Sequence, residues 1–250
     1  MNPHISILIL NWNGKDLIQN CLDSILKINY KNYSVFVIDN NSTDNSIKLI
    51  ENKYPQVEVI PLNENYGFAG GYNRAFKKLK NYATDFILLL NNDTEVDKQI
   101  LVNFVNAKTK YGDDNIYGGK IYYHDQKNKI WFAGSKIKLE KLKIYHIGIR
   151  ELDADKFSNP QKTDYITGCC LFTSFEVIKK LDGFDEQFNM YSEDVDFCLR
   201  ARNKDIYCYY WPEAKLWHHV SASLGGEFSL KKNIKKFISL WKLLKKYYFK

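Results

Sequence analysis

Three polar clusters follow apolar runs in the first hundred residues, and their side chains suit the binding of phosphates and a metal ion. The apolar run from Phe86 to Leu90 is long enough for a strand buried on both faces, yet it stops at polar residues. Two earlier apolar runs stop in the same way. The clusters are Asn11, Trp12, Asn13 and Gly14; Asp39, Asn40 and Asn41; and Asn91, Asn92 and Asp93.

A glycine-rich segment, NENYGFAGGYNRA, lies between the second and third clusters. Its glycines Gly67, Gly70 and Gly71 let the backbone approach a ligand closely, and Arg74 follows one turn later. The segment matches neither G-x-G-x-x-G nor the P-loop lysine pattern, so by itself it is weak evidence. Together with the clusters it indicates a site for a nucleotide with phosphates and a metal ion.

Ordinary structural explanations exist for each cluster. Asp39 is compatible with a helix cap, and Asp93 with Thr94 is compatible with turn chemistry. Their coincidence at the ends of apolar runs favours the ligand site.

Strands and helices alternate through the first half of the chain, which predicts an α/β fold with a mainly parallel central sheet covered by helices. Ligands bind beyond the carboxyl ends of the strands in such sheets, where the polar clusters lie. The strands are predicted in HISILIL, YSVFVIDNN, VEVIPL and DFILLLNND. Ser42 or Thr43 is predicted to cap the second helix. The first helix presents one apolar face, formed by Leu17, Cys21, Leu22, Ile25 and Leu26.

The second half is less regular but shows no linker, so we predict one domain. Ser174 is predicted to cap a short helix, and SEDVDFCLRARNK to open another. Residues 151–162 are predicted to form a mobile loop. Short strands are predicted in IYGGKIYY, IWFAGSKI, KIYHIGI, DYITGCCLFTS and IYCYYWP.

Cysteine use and the N-terminus indicate a reducing compartment. The five cysteines form no C-x-x-C pair, which argues against a zinc ribbon or a disulfide framework. MNPHISILIL lacks the features of a secretion signal, and no apolar run approaches the roughly 20 residues that a bilayer span needs.

The positive net charge of +7 comes from the last 20 residues, which contain eight lysines and no acid; the other residues carry 28 basic and 29 acidic side chains. Apolar residues recur there every three or four positions, which predicts an amphipathic helix. The helix is compatible with binding to an anionic membrane surface, with packing on the domain, or with both. Nucleic-acid binding is disfavoured, because the basic residues are confined to one tail.

Six segments of the chain, in the same order, resemble those of glycosyltransferase family 2, the large inverting GT-A group, and within it the rhamnosyltransferase-like subgroup. The resemblance covers about residues 4–222. The segments are ILILNWNG, VFVIDNNSTDNS, NENYGFAGGYNRA, FILLLNNDTEVD, YITGCCLFTSFEVIKKLDGFDEQFNMYSEDVDFCLRAR and WPEAKLWHHVSAS.

This resemblance implies a UDP- or dTDP-sugar donor, with Asp39 binding the base. It implies that Asp93 holds Mg²⁺ or Mn²⁺ against the donor diphosphate, although Asn91 replaces the first acid of the family's D-x-D motif. His218 corresponds to a further metal ligand, with His219 as the substitute; without the resemblance, a packed or surface histidine pair is the more common explanation. The implied donor-binding residues are Asn11, Asn13, Asp39, Asn41, Asn65, Gly67, Gly71, Arg74, Asn91, Asn92 and Asp93.

The segment YSEDVDFCLRAR matches the family's acidic motif, which implies that Asp194 is the general base and that Glu193 binds the acceptor or orients the site. Gly168 corresponds to the acceptor side. A purely structural alternative is that Ser192 caps a helix whose first turn favours acids. Other residues of the matched segments have structural roles: Asp196 pairs with Arg200, and Cys169 and Cys170 pack in the core.

We therefore expect an inverting glycosyltransferase that acts on a glycan or polyprenyl-diphosphate-linked acceptor in bacterial surface polysaccharide biosynthesis, in the cytoplasm and peripheral at the inner face of the plasma membrane. A non-catalytic nucleotide-sugar or glycan-binding relative is the alternative. A nucleotidyltransferase is disfavoured, because NWNGKD replaces the expected phosphate loop. The predicted organisation is a GT-A domain, 1–225, with a nucleotide-sugar half, 1–112, an acceptor half, 113–225, and a basic amphipathic helix, 226–250.

Overall fold

The structure, a computed structural model, describes residues 2–188, 190–220 and 230–248. Its strands are β1 (Ile5–Asn11), β2 (Tyr33–Asp39), β3 (Val57–Pro61), β4 (Phe86–Asn91), β5 (Thr94–Val96), β6 (Ile116–Tyr123), β7 (Gln126–Phe132), β8 (Ser135–Lys138), β9 (Lys143–His146), β10 (Gln161–Thr163), β11 (Cys170–Ser174) and β12 (Cys208–His218). Its helices are α1 (Lys15–Ile25), α2 (Ser46–Lys53), α3 (Gly67–Leu79), α4 (Ile100–Tyr111), α5 (Phe175–Leu181), α6 (Glu193–Arg202) and α7 (Leu230–Tyr247).

The first half of the central sheet is parallel, in the order β4-β1-β2-β3. Its middle strands, β1 and β2, are buried over most of their length, as in sheets covered by helices. The register pairs Asn11 with Asp39 and Leu10 with Asn91, so the three polar clusters lie at one edge. The predicted α/β class, with a mostly parallel sheet covered by helices, is confirmed.

The second half joins the same sheet through β11, which is antiparallel to β4 on one side and to β6 on the other. Cys170 pairs with Leu90, and the backbone N–H of Asn91 donates to the carbonyl of Cys169 at 3.1 Å. Beyond β6, the parallel strand β12 carries β5 and β10 as antiparallel neighbours. The start of β11 therefore lies beside the polar end of β4.

The start of α2 differs from the prediction. The helix begins after Asn45, which is left-handed at φ +64°, and not after Ser42 or Thr43. Asp44 makes the nearby turn by accepting the backbone N–H of Ser46 at 3.0 Å. The hydroxyl of Ser42 is used instead in the polar cluster described below.

Other differences follow from local backbone and packing. IWFAGSKI forms two strands, β7 and β8, because Gly134 at φ +98° interrupts the extended backbone between them. Ile18 is buried on α1, whereas Leu17 and Leu26 are half-buried. The strand predicted in DYITGCCLFTS begins only at Cys170, and the predictions did not include β5 and α4.

Residues 151–162 are anchored and do not form the mobile loop that was predicted. Both carboxylate oxygens of Asp153 accept from the Lys120 ammonium, at 2.8 and 3.0 Å, and one also accepts from the Tyr122 hydroxyl at 2.5 Å. A 3-10 turn, Asp155–Phe157, and strand β10 follow. Asp153 holds this segment on the sheet, so its polarity did not indicate mobility.

Two predicted side-chain contacts are confirmed. Ser174 caps α5 by accepting the backbone N–H of Val177 at 3.3 Å. On α6, the Arg200 guanidinium donates to the Asp196 carboxylate at 2.8 Å.

The C-terminal helix is α7; residues 226–229 and 249–250 of the predicted segment lie outside the described residues. Leu243 and Leu244 are buried, and Lys246 and Tyr247 reach the buried carboxylate of Asp196 at 2.7 Å each. The prediction that the helix packs on the domain is thus correct for its C-terminal part. Large apolar side chains stay exposed along the rest: Ile234, Phe237, Ile238 and Trp241.

No helix in the described part of the chain combines the length and the apolarity needed to cross a membrane. The division of the chain at residues 112 and 225 stays a prediction.

Candidate active site

The first two polar clusters form one hydrogen-bonded network at the carboxyl edge of the sheet. Asp39 is fully buried; its carboxylate accepts from the Asn11 amide at 3.0 Å and from the Ser42 backbone N–H at 2.8 Å. The Asn11 carbonyl oxygen accepts from the Asn92 amide at 2.8 Å, which links the network to β4. At Gly14, an added Cβ would lie 2.1 Å from the Asn92 amide, so this contact requires glycine.

The exposed side of this network is formed by two turns. Asn13 and Asn41 are exposed and left-handed, at φ +49° and +64°. Asn13 donates its backbone N–H to Ser42 at 2.9 Å and accepts from the Thr43 N–H at 2.8 Å. The buried Asp39 is thus joined to this pair of turns through Ser42.

The glycine-rich segment is attached to β2 by a residue that the sequence did not single out for a role. Asn40 donates to the side chain of Asn65 and to the carbonyl of Gly67, at 3.0 Å each, and accepts the Tyr66 backbone N–H at 2.9 Å. Its position between Asp39 and Asn41 was the available signal. Gly71 lies against Leu10, where an added Cβ would be 2.5 Å from a methyl group.

Arg74 is already engaged by protein groups. Its guanidinium carbon lies 3.2 Å from the centre of the Tyr66 ring, and the group donates to the Gly70 carbonyl at 2.9 Å. It also forms an ion pair with Glu186 at 3.4 Å. The structure thus places Arg74 between the glycine-rich segment and the second half of the chain.

Asp93 and His218 form a pair suited to holding a cation. Their carboxylate Oδ1 and imidazole Nε2 lie 3.1 Å apart, and both side chains are at least 93% buried. The two atoms lack the alignment of a hydrogen bond, so Asp93 Oδ1 has no hydrogen-bond partner among the described residues. Two ligands bound at about 2.1 Å to adjacent positions of an octahedral ion lie roughly 3 Å apart. The pair therefore fits a divalent ion between its atoms.

His219 does not join this pair. Its backbone N–H donates to the carbonyl of Asp93 at 2.9 Å, but its side chain faces Glu95 and stacks on His124. Since successive side chains at a strand end alternate in direction, His218 and His219 cannot face the same site. The prediction that His219 could take the place of His218 as a ligand of the donor metal is therefore wrong for this chain.

Glu193 and Asp194 are the first residues of α6, and the backbone before them is unusual. Tyr191 and Ser192 before them are both left-handed, at φ +73° and +67°, a conformation that non-glycine residues adopt at a cost. Ser192 makes no side-chain cap, so the capping explanation for the acids that follow is wrong. Asp194 Oδ2 instead accepts the backbone N–H of Gly168 at 2.9 Å, which ties α6 to the segment before β11.

Burial raises the pKa of both acids. For Asp194 it outweighs the hydrogen bonds from the Gly168 and Val195 N–H groups, which lower the pKa. Burial and the negative charge of Asp194 together raise the pKa of Glu193 well above its ordinary value. Glu193 Oε2 has no hydrogen-bond partner in the described part of the chain. The neighbouring carboxyls therefore hold protons more tightly than free acids do.

Cys169 links the two acidic clusters through the backbone, because its carbonyl accepts the N–H of Asn91 at 3.1 Å and Gly168 before it donates to Asp194 at 2.9 Å. After burial, the largest effect, the negative charges of both Asp93 and Asp194 raise the pKa of its thiol. Asp93, two residues after Asn91, and Asp194, bonded to Gly168, thus both lie next to the segment that precedes β11. The structure brings the predicted metal ligand and the predicted base together, and Cys169 is packed, not reactive.

Gly168 also makes a close packing contact. An added Cβ would lie 2.5 Å from the ring of Phe68 on α3, so glycine brings the helix of the glycine-rich segment against β11. Thr167, which the sequence analysis did not select, accepts the Cys169 N–H at 3.3 Å, and its side-chain hydrogen bond lowers the pKa of Asp194. The feature of the sequence that could have indicated a role for Thr167 was its position directly before Gly168.

Comparison with known proteins identifies the family. The model of glycosyl transferase family 2 matches residues 6–182. The low-salt glycan biosynthesis hexosyltransferase Agl10 of Haloferax volcanii is 24% identical over 210 residues, 82% of this chain and 64% of the relative. An N-acetylglucosaminyl-diphospho-decaprenol L-rhamnosyltransferase of Mycobacterium tuberculosis is 21% identical over 250 residues, 91% and 80% of the two chains.

The chain is also similar in structure to GalNAc-T7, solved with UDP, GalNAc and Mn²⁺. The TM-score is 0.74 at 13% sequence identity, over 97% of this chain and 48% of that chain. The chain thus spans about half of this neighbour and less than two thirds of the Haloferax relative. This likeness shows the fold, which is the predicted GT-A fold.

Replacing Glu193 with glutamine should stabilise the protein. At pH 7 the folded protein either buries the Glu193 charge beside Asp194 or holds a proton that the unfolded chain has released, and glutamine removes both costs. We expect a gain of about 1–3 kcal/mol in the free energy of unfolding, the usual scale for an unsatisfied buried group. The gain should vanish below about pH 4, where the unfolded chain also protonates the acid. Urea unfolding at several pH values measures it. A loss of stability at pH 7 would contradict the conclusion that burial of the Glu193 carboxyl group is unfavourable.

Proposed function

Because the chain belongs to glycosyl transferase family 2, we propose that it is an inverting enzyme that transfers a hexosyl or deoxyhexosyl group from a UDP- or dTDP-sugar to a hydroxyl group of a glycan or lipid-linked glycan. The observation that carries the proposal is the arrangement around Cys169. The backbone of Gly168 and Cys169 connects a pair suited to a cation, Asp93 and His218, to the acid Asp194, whose pKa is raised by burial.

The pair would hold Mg²⁺ or Mn²⁺. When bound, such an ion neutralises charge on the departing diphosphate of the donor. Asp93 contributes a carboxylate oxygen that lacks a hydrogen bond, and His218 an imidazole nitrogen 3.1 Å away. Trp131 packs edge-on against the His218 ring, at 4.6 Å between ring centres, and so orients that nitrogen.

Asp194 is assigned as the general base that takes the proton from the acceptor hydroxyl as it attacks the anomeric carbon. A base works best when its pKa lies near the operating pH, and burial shifts Asp194 in that direction. The Gly168 N–H holds Oδ2, which leaves the carboxylate oriented by backbone rather than by a flexible side chain. Glu193, buried beside it, is assigned to the acceptor site.

The remaining donor contacts follow from the hydrogen-bonded network at the sheet edge. Asp39 keeps one lone pair on each carboxylate oxygen after its contacts with Asn11 and Ser42, and we assign it to the N–H of the base. The other assigned contacts come from the surrounding turns and the glycine-rich segment: Asn13, Asn41, Asn65, Gly67, Gly71, Arg74, Asn91 and Asn92.

The acceptor is assigned to a membrane-bound precursor of a surface polysaccharide because of α7. Ile234, Phe237, Ile238 and Trp241 are 48–69% exposed there, among lysines. The helix contacts the loop before α6 through Ser239, whose hydroxyl donates to the Met190 carbonyl at 2.9 Å. An aromatic and lysine-rich face of this kind suits an anionic bilayer, and it would hold the base close to the membrane surface.

Replacing Asp194 with asparagine should lower kcat at least about 100-fold, because the amide cannot accept the acceptor proton. Donor affinity should change less than threefold. In the unmodified enzyme, kcat/KM should fall as pH drops through the raised pKa of Asp194, and the variant should lose that acid limb. Asp16→Asn, which removes an acid from the first turn of α1, is the matched control. Normal transfer by the Asp194 variant would show that the base is misassigned.

Replacing Asp93 with asparagine should weaken donor binding in the presence of Mn²⁺ at least tenfold, because the ion loses its charged ligand. Binding without a divalent ion should stay the same. Calorimetric titration of the donor with and without Mn²⁺ tests this, with the exposed Asp113→Asn as control. Metal-dependent binding without turnover in the unmodified protein would favour the non-catalytic alternative, whereas equal affinity in the Asp93 variant would exclude the metal role.

Replacing both Phe237 and Ile238 with serine should reduce binding to phosphatidylglycerol vesicles at least tenfold, since each inserted side chain contributes about 1.5–3 kcal/mol. Activity on a soluble acceptor should be retained. Vesicle sedimentation measures binding, and Leu152→Ser, which removes another exposed apolar residue, is the control. Equal sedimentation of both variants and the unmodified protein would contradict the proposal that α7 binds the membrane surface.

A further inference from the structure

Three neighbouring strands bring two histidines and a glutamate together outside the proposed donor site. β12 lies between β5 and β6, and Trp217 of β12 pairs with Glu95 of β5. At the ends of β6 and β12, the backbone N–H of His124 donates to the His218 carbonyl at 3.0 Å. His124 and His219 are therefore neighbours across the strands, with Glu95 beside them.

The ligand atoms of these three side chains lie close together. Glu95 Oε1 lies 2.9 Å from His124 Nε2 and 3.6 Å from His219 Nε2. The two imidazole rings stack with 3.4 Å between their centres and 23° between their planes, so one ring turns about its side-chain bonds when both Nε2 lone pairs bind one ion. All three ligand atoms lie within 4.8 Å of one another.

A hydrogen bond accounts for only part of this arrangement. His124 Nε2 is within hydrogen-bond distance of the carboxylate, but His219 Nε2 is buried and has no hydrogen-bond partner among the described residues. A buried polar nitrogen without a partner is costly, and such groups in native proteins usually have a water or an ion that satisfies them. A cation bound by all three groups would give His219 the missing partner.

We propose that Glu95, His124 and His219 form a second metal site, which binds Zn²⁺. Tetrahedral ligands at about 2.0–2.1 Å from Zn²⁺ lie roughly 3.4 Å apart, a value between the two separations from Glu95. Two imidazoles and one carboxylate select Zn²⁺ over Mg²⁺, which prefers ligand sets made only of oxygen. Three protein ligands leave one position for water.

The surroundings support ligation by the Nε2 atoms. His124 Nδ1 lies 3.2 Å from the carboxylate of Asp125, and such a contact directs the Nδ1 proton outward and leaves Nε2 as the ligand. The three side chains are 21–28% exposed, so an ion can enter from solvent. The site is thus accessible while its ligands stay held by the sheet.

This site adjoins the proposed donor-metal site through the backbone. His219 directly follows His218, and its N–H donates to the Asp93 carbonyl at 2.9 Å. Zn²⁺ bound at Glu95, His124 and His219 therefore fixes the two strand ends that carry Asp93 and His218. This consequence rests on the proposed function, whereas the binding of Zn²⁺ does not.

Titration of the full chain with Zn²⁺ against a chromophoric chelator, without donor and with excess Mg²⁺, tests the site. The double variant Asp93→Asn, His218→Ala should still bind one equivalent of Zn²⁺. In the same background, His124→Ala or Glu95→Gln should weaken this binding at least tenfold, and His4→Ala, which changes a half-buried histidine before β1, should not. Equal Zn²⁺ affinity after loss of His124, or no Zn²⁺ bound by the double variant, would overturn the proposal.

Cobalt substitution tests the site without relying on the folding of a variant. Co²⁺ bound by the unmodified protein should give the intense visible absorption of a four-coordinate site with imidazole ligands, and one equivalent of Zn²⁺ should abolish it. Weak absorption typical of octahedral Co²⁺ would overturn the proposal. Since neither experiment requires transfer activity, an inactive protein that binds Zn²⁺ would contradict the proposed function alone.

Discussion

Burying a carboxylate costs several kcal/mol unless hydrogen bonds or a cation replace the lost water. This protein meets the requirement in different ways for different acids. Asp196 is fully buried and contacts Arg200, Lys246 and Tyr247, so it is satisfied by the fold itself. Asp93 and Glu193 are almost as buried, yet each keeps a carboxylate oxygen without a hydrogen-bond partner in the described residues. Asp196 connects α6 to α7, whereas Asp93 and Glu193 are available to a ligand.

The sheet makes this contrast possible because its strands end at a common edge. β4 and β11 are paired along their whole length, and rigid backbone on both sides holds the polar ends in place. The acids can stay close together and incompletely satisfied without the chain rearranging, since movement would break buried strand pairs. Stability supplied by the apolar strands therefore supports a group of buried acids that is itself unfavourable.

Contacts between the two halves of the chain join the proposed donor and acceptor regions. Phe68 of the glycine-rich helix packs against Gly168, and Asn73 donates to the Phe184 carbonyl at 2.8 Å. Arg74 pairs with Glu186 in the same loop. The loop then continues to Glu193 and is contacted from outside by α7. The proposed donor region is thus connected to the acids on the acceptor side through a short series of direct contacts.

The sequence by itself determined the α/β class and the edge where the polar clusters lie, because the alternation of apolar runs and the ends of those runs are local properties. It also contained the acids Asp93 and Asp194. Tertiary structure decided the rest. Only the pairing of β4 with β11 brings those acids next to the backbone of Gly168 and Cys169, and only the direction of side chains at the end of β12 separates His218 from His219. Such distances depend on which distant strands pair, and no window of neighbouring residues contains that information.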